Sequence, residues 1–122
     1  MVAGLHSSVL SEGISLTSNV SGAASGTISG VNGEIYGVYV ALGTGMLTAA
    51  VTVTTEYGEV ALNGVTVTAN KMYRVYKNAT TNDGSTAITN SCVPLVSGGG
   101  SITVSVASAT ASKGISVTIL YR

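Results

Sequence analysis

Short runs in which apolar residues alternate with Thr and Ser, cut by glycine and asparagine, constrain this chain more than any other feature. Val51 and Val53 stand opposite Thr52 and Thr54 within Leu47 to Glu56. Ile102, Val104 and Val106 alternate with Thr103 and Ser105, and Ile115, Val117, Ile119 and Tyr121 with Ser116 and Thr118. A period of two belongs to a strand with one face on a core and the other in water, and β-branched residues suit that pleated surface. Weaker runs add a first strand through Ile14, Leu16 and Val20, a short one over Thr27 to Val31, and a Tyr-rich one over Lys71 to Lys77. Val60, Leu62 and Val65 to Thr68 read as a strand pair around Asn63-Gly64, and Asn32-Gly33 is a second hairpin signal. Ala87 to Val96 holds a strand that Pro94 ends or places at an edge, and Gly98-Gly99-Gly100 reads as a flexible break.

Eight or nine such strands, evenly spaced, predict an all-β fold: a single-domain antiparallel β-sandwich, jelly-roll-like, over residues 11–122. Residues 1–10 have no clean period and read as an N-terminal arm, a short edge strand, or both. Val, Thr, Ser and Gly fill 65 of the 122 positions, and helix formers other than Ala are scarce.

Composition also narrows function. Only 8% of residues are charged, and five Lys/Arg balance five Asp/Glu. A surface with no net charge favours association, and without a basic excess it does not suit nucleic acid. One Cys excludes an intrachain disulfide, and one Cys with one His cannot build a zinc site. Met1 to Gly13 lacks Lys and Arg and is broken by His6, Ser7, Ser8 and Ser11, unlike a secretory signal. Ile35 to Thr55 is uncharged for 21 residues, but three glycines and five threonines make it two strands and a turn, so no membrane span is expected.

No candidate for chemistry is complete. The only base for a Ser or Cys nucleophile is His6, in the arm, and no nucleophile elbow is present. Glu12, Glu34, Glu56, Glu59 and Asp83 read as solvated turn acids, and no Trp offers a sugar platform. Asn82-Asp83-Gly84 supplies too few ligands for calcium and reads as a turn. The Thr52/Thr54 and Thr66/Thr68 pairs read as a solvated sheet face rather than an ice-binding array. The expectation is a non-enzyme with no cofactor and no metal.

Three features point to assembly. Glu34 to Leu42 is apolar on both parities, with Ile35, Tyr39 and Ala41 on one and Tyr36, Val38, Val40 and Leu42 on the other. Such a strand is either central and covered on both faces or covered by another subunit. All five bases lie after residue 70, and four of five acids before residue 60, which reads either as dispersed solvated charge or as complementary patches between subunits. Lys71 to Lys77 gathers Met72, Tyr73, Arg74 and Tyr76, residue types enriched at interfaces, and reads either as an interface segment or as a strand with its Tyr in the core and its Lys ends in water. Tyr36, Val38, Val40, Met72, Tyr73, Arg74 and Tyr76 are therefore the candidate subunit-interface residues.

From about Gly26 onward the chain resembles small virion proteins of tailed phages. The resemblance runs through Gly33 to Gly45, Ala49 to Val60 and Lys71 to Lys77, then through Cys92 to Arg122, where a Pro-containing strand, a Gly break and two alternating strands follow in order. It implies a capsid decoration, or cement, protein: a compact β-fold, often trimeric, on the outer capsid surface, with the major capsid protein as partner and no catalytic residues. On that reading Met1, Val2, Leu5, Val9 and Leu10 of the arm contact the capsid. The alternative is a tail, fibre or head-surface module that binds a receptor or glycan, with Tyr73, Tyr76 and the loop from Asn78 to Thr86 as its site.

Overall fold

The computed structural model describes residues 9–77 and 92–122. Nine strands form there: β1 (Leu10–Thr17), β2 (Ala24–Ile28), β3 (Asn32–Leu42), β4 (Ala49–Thr54), β5 (Val60–Val67), β6 (Lys71–Arg74), β7 (Leu95–Gly98), β8 (Ile102–Ala107) and β9 (Gly114–Tyr121). One sheet runs β1-β9-β3-β6, with β7 also on β3, and the second runs β2-β8-β4-β5. Every pairing is antiparallel, and the described residues contain no helix. The fold is the all-β sandwich that the alternation requires.

Alternation sets the packing. Val51 and Val53 of β4, Ile102, Val104 and Val106 of β8, and Ile115, Val117 and Ile119 of β9 all point between the sheets and are buried. β1 closes one side, where Ile14 and Leu16 lie against Gly26 of β2. A Cβ at Gly26 would stand 2.5 Å from Ile14 Cδ1, so glycine is what lets the two sheets meet there.

The expected hairpin signals do other work. Asn63-Gly64 lies inside β5, where both residues oppose Thr52 alone, and Gly64 N–H donates to Thr52 Oγ1 at 3.0 Å. This is a β-bulge with Gly64 at φ +59°, not a turn between two strands. Asn32-Gly33 opens β3 after a crossover from the other sheet. A Cβ on Gly33 would stand 2.5 Å from the Arg122 carbonyl oxygen, so the glycine serves a close backbone approach. Val20, placed in the first strand by the alternation, is an exposed turn residue past the end of β1. Pro94 stands immediately before β7, which among the described strands pairs only with β3 and so lies at a sheet edge, one of the two expected places, and the part of that run before Cys92 lies outside the described residues.

β3 corrects the expectation of a strand with two apolar faces. Ile35 pairs with Tyr121 and Gly37 with Leu120, so Tyr36 is an extra, bulged residue. The bulge moves the core-facing parity from Ile35 to Val38 and Val40, which explains apolar residues on both parities without a second covered face. Val38 and Val40 are fully buried in the chain's own core and have no surface to give a neighbour. They are withdrawn as interface candidates.

Only the last two residues of the expected arm are described. Leu10 pairs with Tyr121 as the first residue of β1, and Val9 is exposed beside it. Met1, Val2 and Leu5 lie outside the described residues, as do His6, Asp83 and the loop from Asn78 to Thr86.

Candidate functional site

Charge is distributed unevenly over this sandwich. β2, β4, β5, β7, β8 and β9 carry no charged residue at all. On the second sheet, registry brings Thr27, Thr103 and Thr54 into one outward row and Ser25, Ser105 and Thr52 into the next. The Thr52/Thr54 pair is thus part of a wider hydroxyl face. Across the first sheet the outward side is formed by Ser15 of β1, Ser116, Thr118 and Leu120 of β9, Tyr39 and Ala41 of β3, and Met72 and Arg74 of β6. Tyr39 and Met72 pair directly and are 36% and 37% exposed.

The charged groups collect elsewhere. Glu12, Glu34, Glu56, Glu59, Arg74, Lys77 and Arg122 all lie toward the end of the sandwich where Leu10 and Ile35 meet Tyr121 and where β7 begins. Only Lys71 and Lys113, of the described charged residues, lie toward the opposite end. Acids and bases separated along the sequence therefore share one end in space. Within the chain they are interspersed at that end rather than sorted by sign.

Two carboxylates at that end are already engaged. Glu59 pairs with Lys77. Glu56 Oε1 accepts from Ser97 Oγ at 2.5 Å and Gly98 N–H at 2.7 Å, while Oε2 accepts from Gly100 N–H at 2.7 Å. The Ser97 hydroxyl, then the Gly98 and Gly100 amides, hold the Glu56 carboxyl below the usual carboxylate range against partial desolvation. The triple glycine is thus a carboxylate cradle rather than a loose break, and a Cβ on Gly100 would collide with the Glu56 side chain.

The remaining feature is a groove of about 240 Å³ lined by Glu34, Tyr36, Val75, Tyr76, Cys92 and Arg122, among others. The bulge places Tyr36 here, and two guanidinium groups converge on its ring: Arg74 at 4.8 Å and Arg122 at 5.5 Å from the centroid. Arg122 is rooted by reciprocal backbone bonds with Glu34, of 2.9 and 3.0 Å. Among the described residues neither arginine reaches a carboxylate at ion-pair distance.

No family model, curated protein or solved structure matches this chain. Its function has to be read from the surface itself. Among the described residues no three His, Cys, Asp or Glu gather closely enough to hold a metal.

The expected interface residues divide into three sets. Tyr36, Arg74 and Tyr76 sit at the charged end, Met72 faces outward beside Tyr39, and Tyr73 packs partly against the core. Val38 and Val40 are core. Sequence reasoning missed Arg122 and Tyr39. Arg122 carries no local signal, because its place depends on Glu34, 88 positions away. Tyr39 was assigned to the parity of Ile35, which the bulge reverses.

Proposed function

We propose that the chain is a structural virion protein that decorates a phage capsid and stabilises it by bridging capsid subunits. The observation that carries this reading is the absence of charge from the whole β2-β8-β4-β5 sheet, together with the gathering of charge at one end. Interface cores are depleted of charged residues, while solvated rims keep them. On this reading the sheet faces meet protein neighbours, copies associate as a trimer, and the charged end stays in water. The arm leaves β1 at the charged end.

Each contact need not be strong. A standard interface buries roughly 800 Å² per partner, and symmetry-related attachment raises the local concentration of every further contact. Decoration then favours the assembled shell by mass action. The test compares capsids with and without the bound protein for resistance to heat.

A further inference from the structure

The end of the sandwich away from the charged cluster is built from four loops: 18–23 between β1 and β2, 43–48 between β3 and β4, 68–70 between β5 and β6, and 108–113 between β8 and β9. It carries the two most exposed large hydrophobic side chains among the described residues, Val20 at 88% and Leu47 at 73%. A single exposed apolar residue is ordinary on a protein surface. Two on loops tied to a common neighbour, with only cations beside them, form a more specific surface. Lys71 and Lys113 lie at this end, and no acid among the described residues does.

The tips are held in place. Loop 108–113 ties the other two together: Leu47 N–H donates to Thr110 Oγ1 at 2.9 Å, Ser18 Oγ donates to the Thr110 carbonyl at 2.6 Å, and Thr110 N–H donates to the Thr48 carbonyl at 3.1 Å. Asn19 Oδ1 accepts from Ser21 N–H, Ser21 Oγ and Ala23 N–H, which fixes the turn that presents Val20. Lys113 lies across the Leu47 loop, its Cε 3.0 Å from where a Cβ on Gly45 would stand. Ser108 and Ser112, at φ 50° and 57°, are the two non-glycine residues with positive φ among the described residues, and they bracket Thr110. Left-handed backbone is costly for a residue with a Cβ and persists only where its surroundings fix it. The strain therefore sits in the loop that sets both tips.

We propose that this end is the surface that seats on the capsid, against a protein face with apolar hollows for Val20 and Leu47 and acidic side chains opposite Lys71 and Lys113. The proposal rests on the decoration reading and states which end of the chain makes that contact. Loops already fixed by a scaffold lose little conformational freedom on binding. The apolar tips supply affinity, while the two lysines steer the approach and reject a basic face. A lipid surface would attract the same lysines, but one fatty chain is already a marginal membrane anchor, and Val20 with Leu47 buries less. Shaped hollows on a protein suit them better. Two anchors per chain bind weakly, and a trimer presents one such end per copy, which multiplies the attachment. The arm leaves from the other end, so this contact is separate from any that the arm makes.

The experiment incubates stripped capsids with the full chain over a range of concentrations, pellets them and quantifies occupancy. Val20→Asp and Leu47→Asp should each weaken binding about tenfold or more. Their thermal midpoints should stay unchanged, because both side chains are exposed. Val20→Ser and Leu47→Ser should act in the same direction, and they decide the matter if the Asp variants fail to fold. The Lys71→Glu/Lys113→Glu double variant should attach more slowly at low salt, with the difference shrinking as salt rises. Tyr57→Asp, at an exposed position of the charged end, should leave occupancy unchanged. Unchanged occupancy by both tip variants, while the unaltered chain binds, would overturn this proposal and leave the decoration reading standing. An equal loss from Tyr57→Asp would also overturn it. Failure of the unaltered chain to bind stripped capsids would overturn both. Vesicles containing phosphatidylserine test the other partner class: vesicle binding that Leu47→Asp abolishes, with capsid occupancy unchanged, would assign this end to a membrane instead.

Discussion

Glu56 joins the two halves of the sandwich through one carboxylate, because it follows β4 in one sheet and accepts bonds from Ser97 and Gly98 in β7 of the other. Its carboxyl sits below its ordinary value, so the charged form is favoured in the folded state. That contribution is complete above the ordinary carboxylate value of 4.5 and is lost as pH falls through the lower folded value. Urea midpoints measured from pH 7 down to pH 3 should therefore fall less steeply for Glu56→Gln than for the unaltered chain. Identical acid limbs would show that the cradle contributes nothing. A second contrast separates core from surface on adjacent strands. Ile119→Ala should cost about 2–5 kcal/mol in denaturant unfolding, by transfer and cavity terms. Tyr39→Ser, on the outward face, should stay within about 0.5 kcal/mol.

Among the elements, the strands with strict alternation were legible from the sequence, and the irregular ones were not. β4, β8 and β9 keep one parity, so Val51, Val104 and Ile119 could be assigned to the core from their neighbours alone. β3 and β5 each contain a bulge, and a bulge reverses parity at a point that no local pattern marks. Asn63-Gly64 illustrates the ambiguity, since a glycine at positive φ serves a hairpin and a bulge equally well. The candidate site was half legible: Tyr36, Arg74 and Tyr76 stood out by residue type, while Arg122 joins them only through the β3-β9 register. The contact of β1 with β2 gives a test at this scale. Gly26→Ala would place a Cβ against Ile14 Cδ1 and Leu16 Cδ2 and should cost about 1–3 kcal/mol. Ile14→Val removes the nearest atom, so the double variant should recover part of that loss in the same unfolding assay. Additive costs would show that the two side chains do not compete for space.

For the whole molecule, an uncharged sheet and a separate charged end make opposite demands on solvent. If the sheet faces carry the contacts, attachment to capsids should survive high salt, because screening weakens ion pairs and leaves contacts between uncharged groups intact. Pelleting decorated capsids across a range of sodium chloride concentrations should show constant occupancy, and release at moderate salt would assign the contact to the charged end instead. The most direct measurement is the temperature at which capsids release DNA, followed with a dye, for particles that carry this protein and particles stripped of it. Decorated particles should hold their DNA to a higher temperature, and re-adding the protein should restore it. Release at the same temperature with and without the protein would contradict a stabilising role.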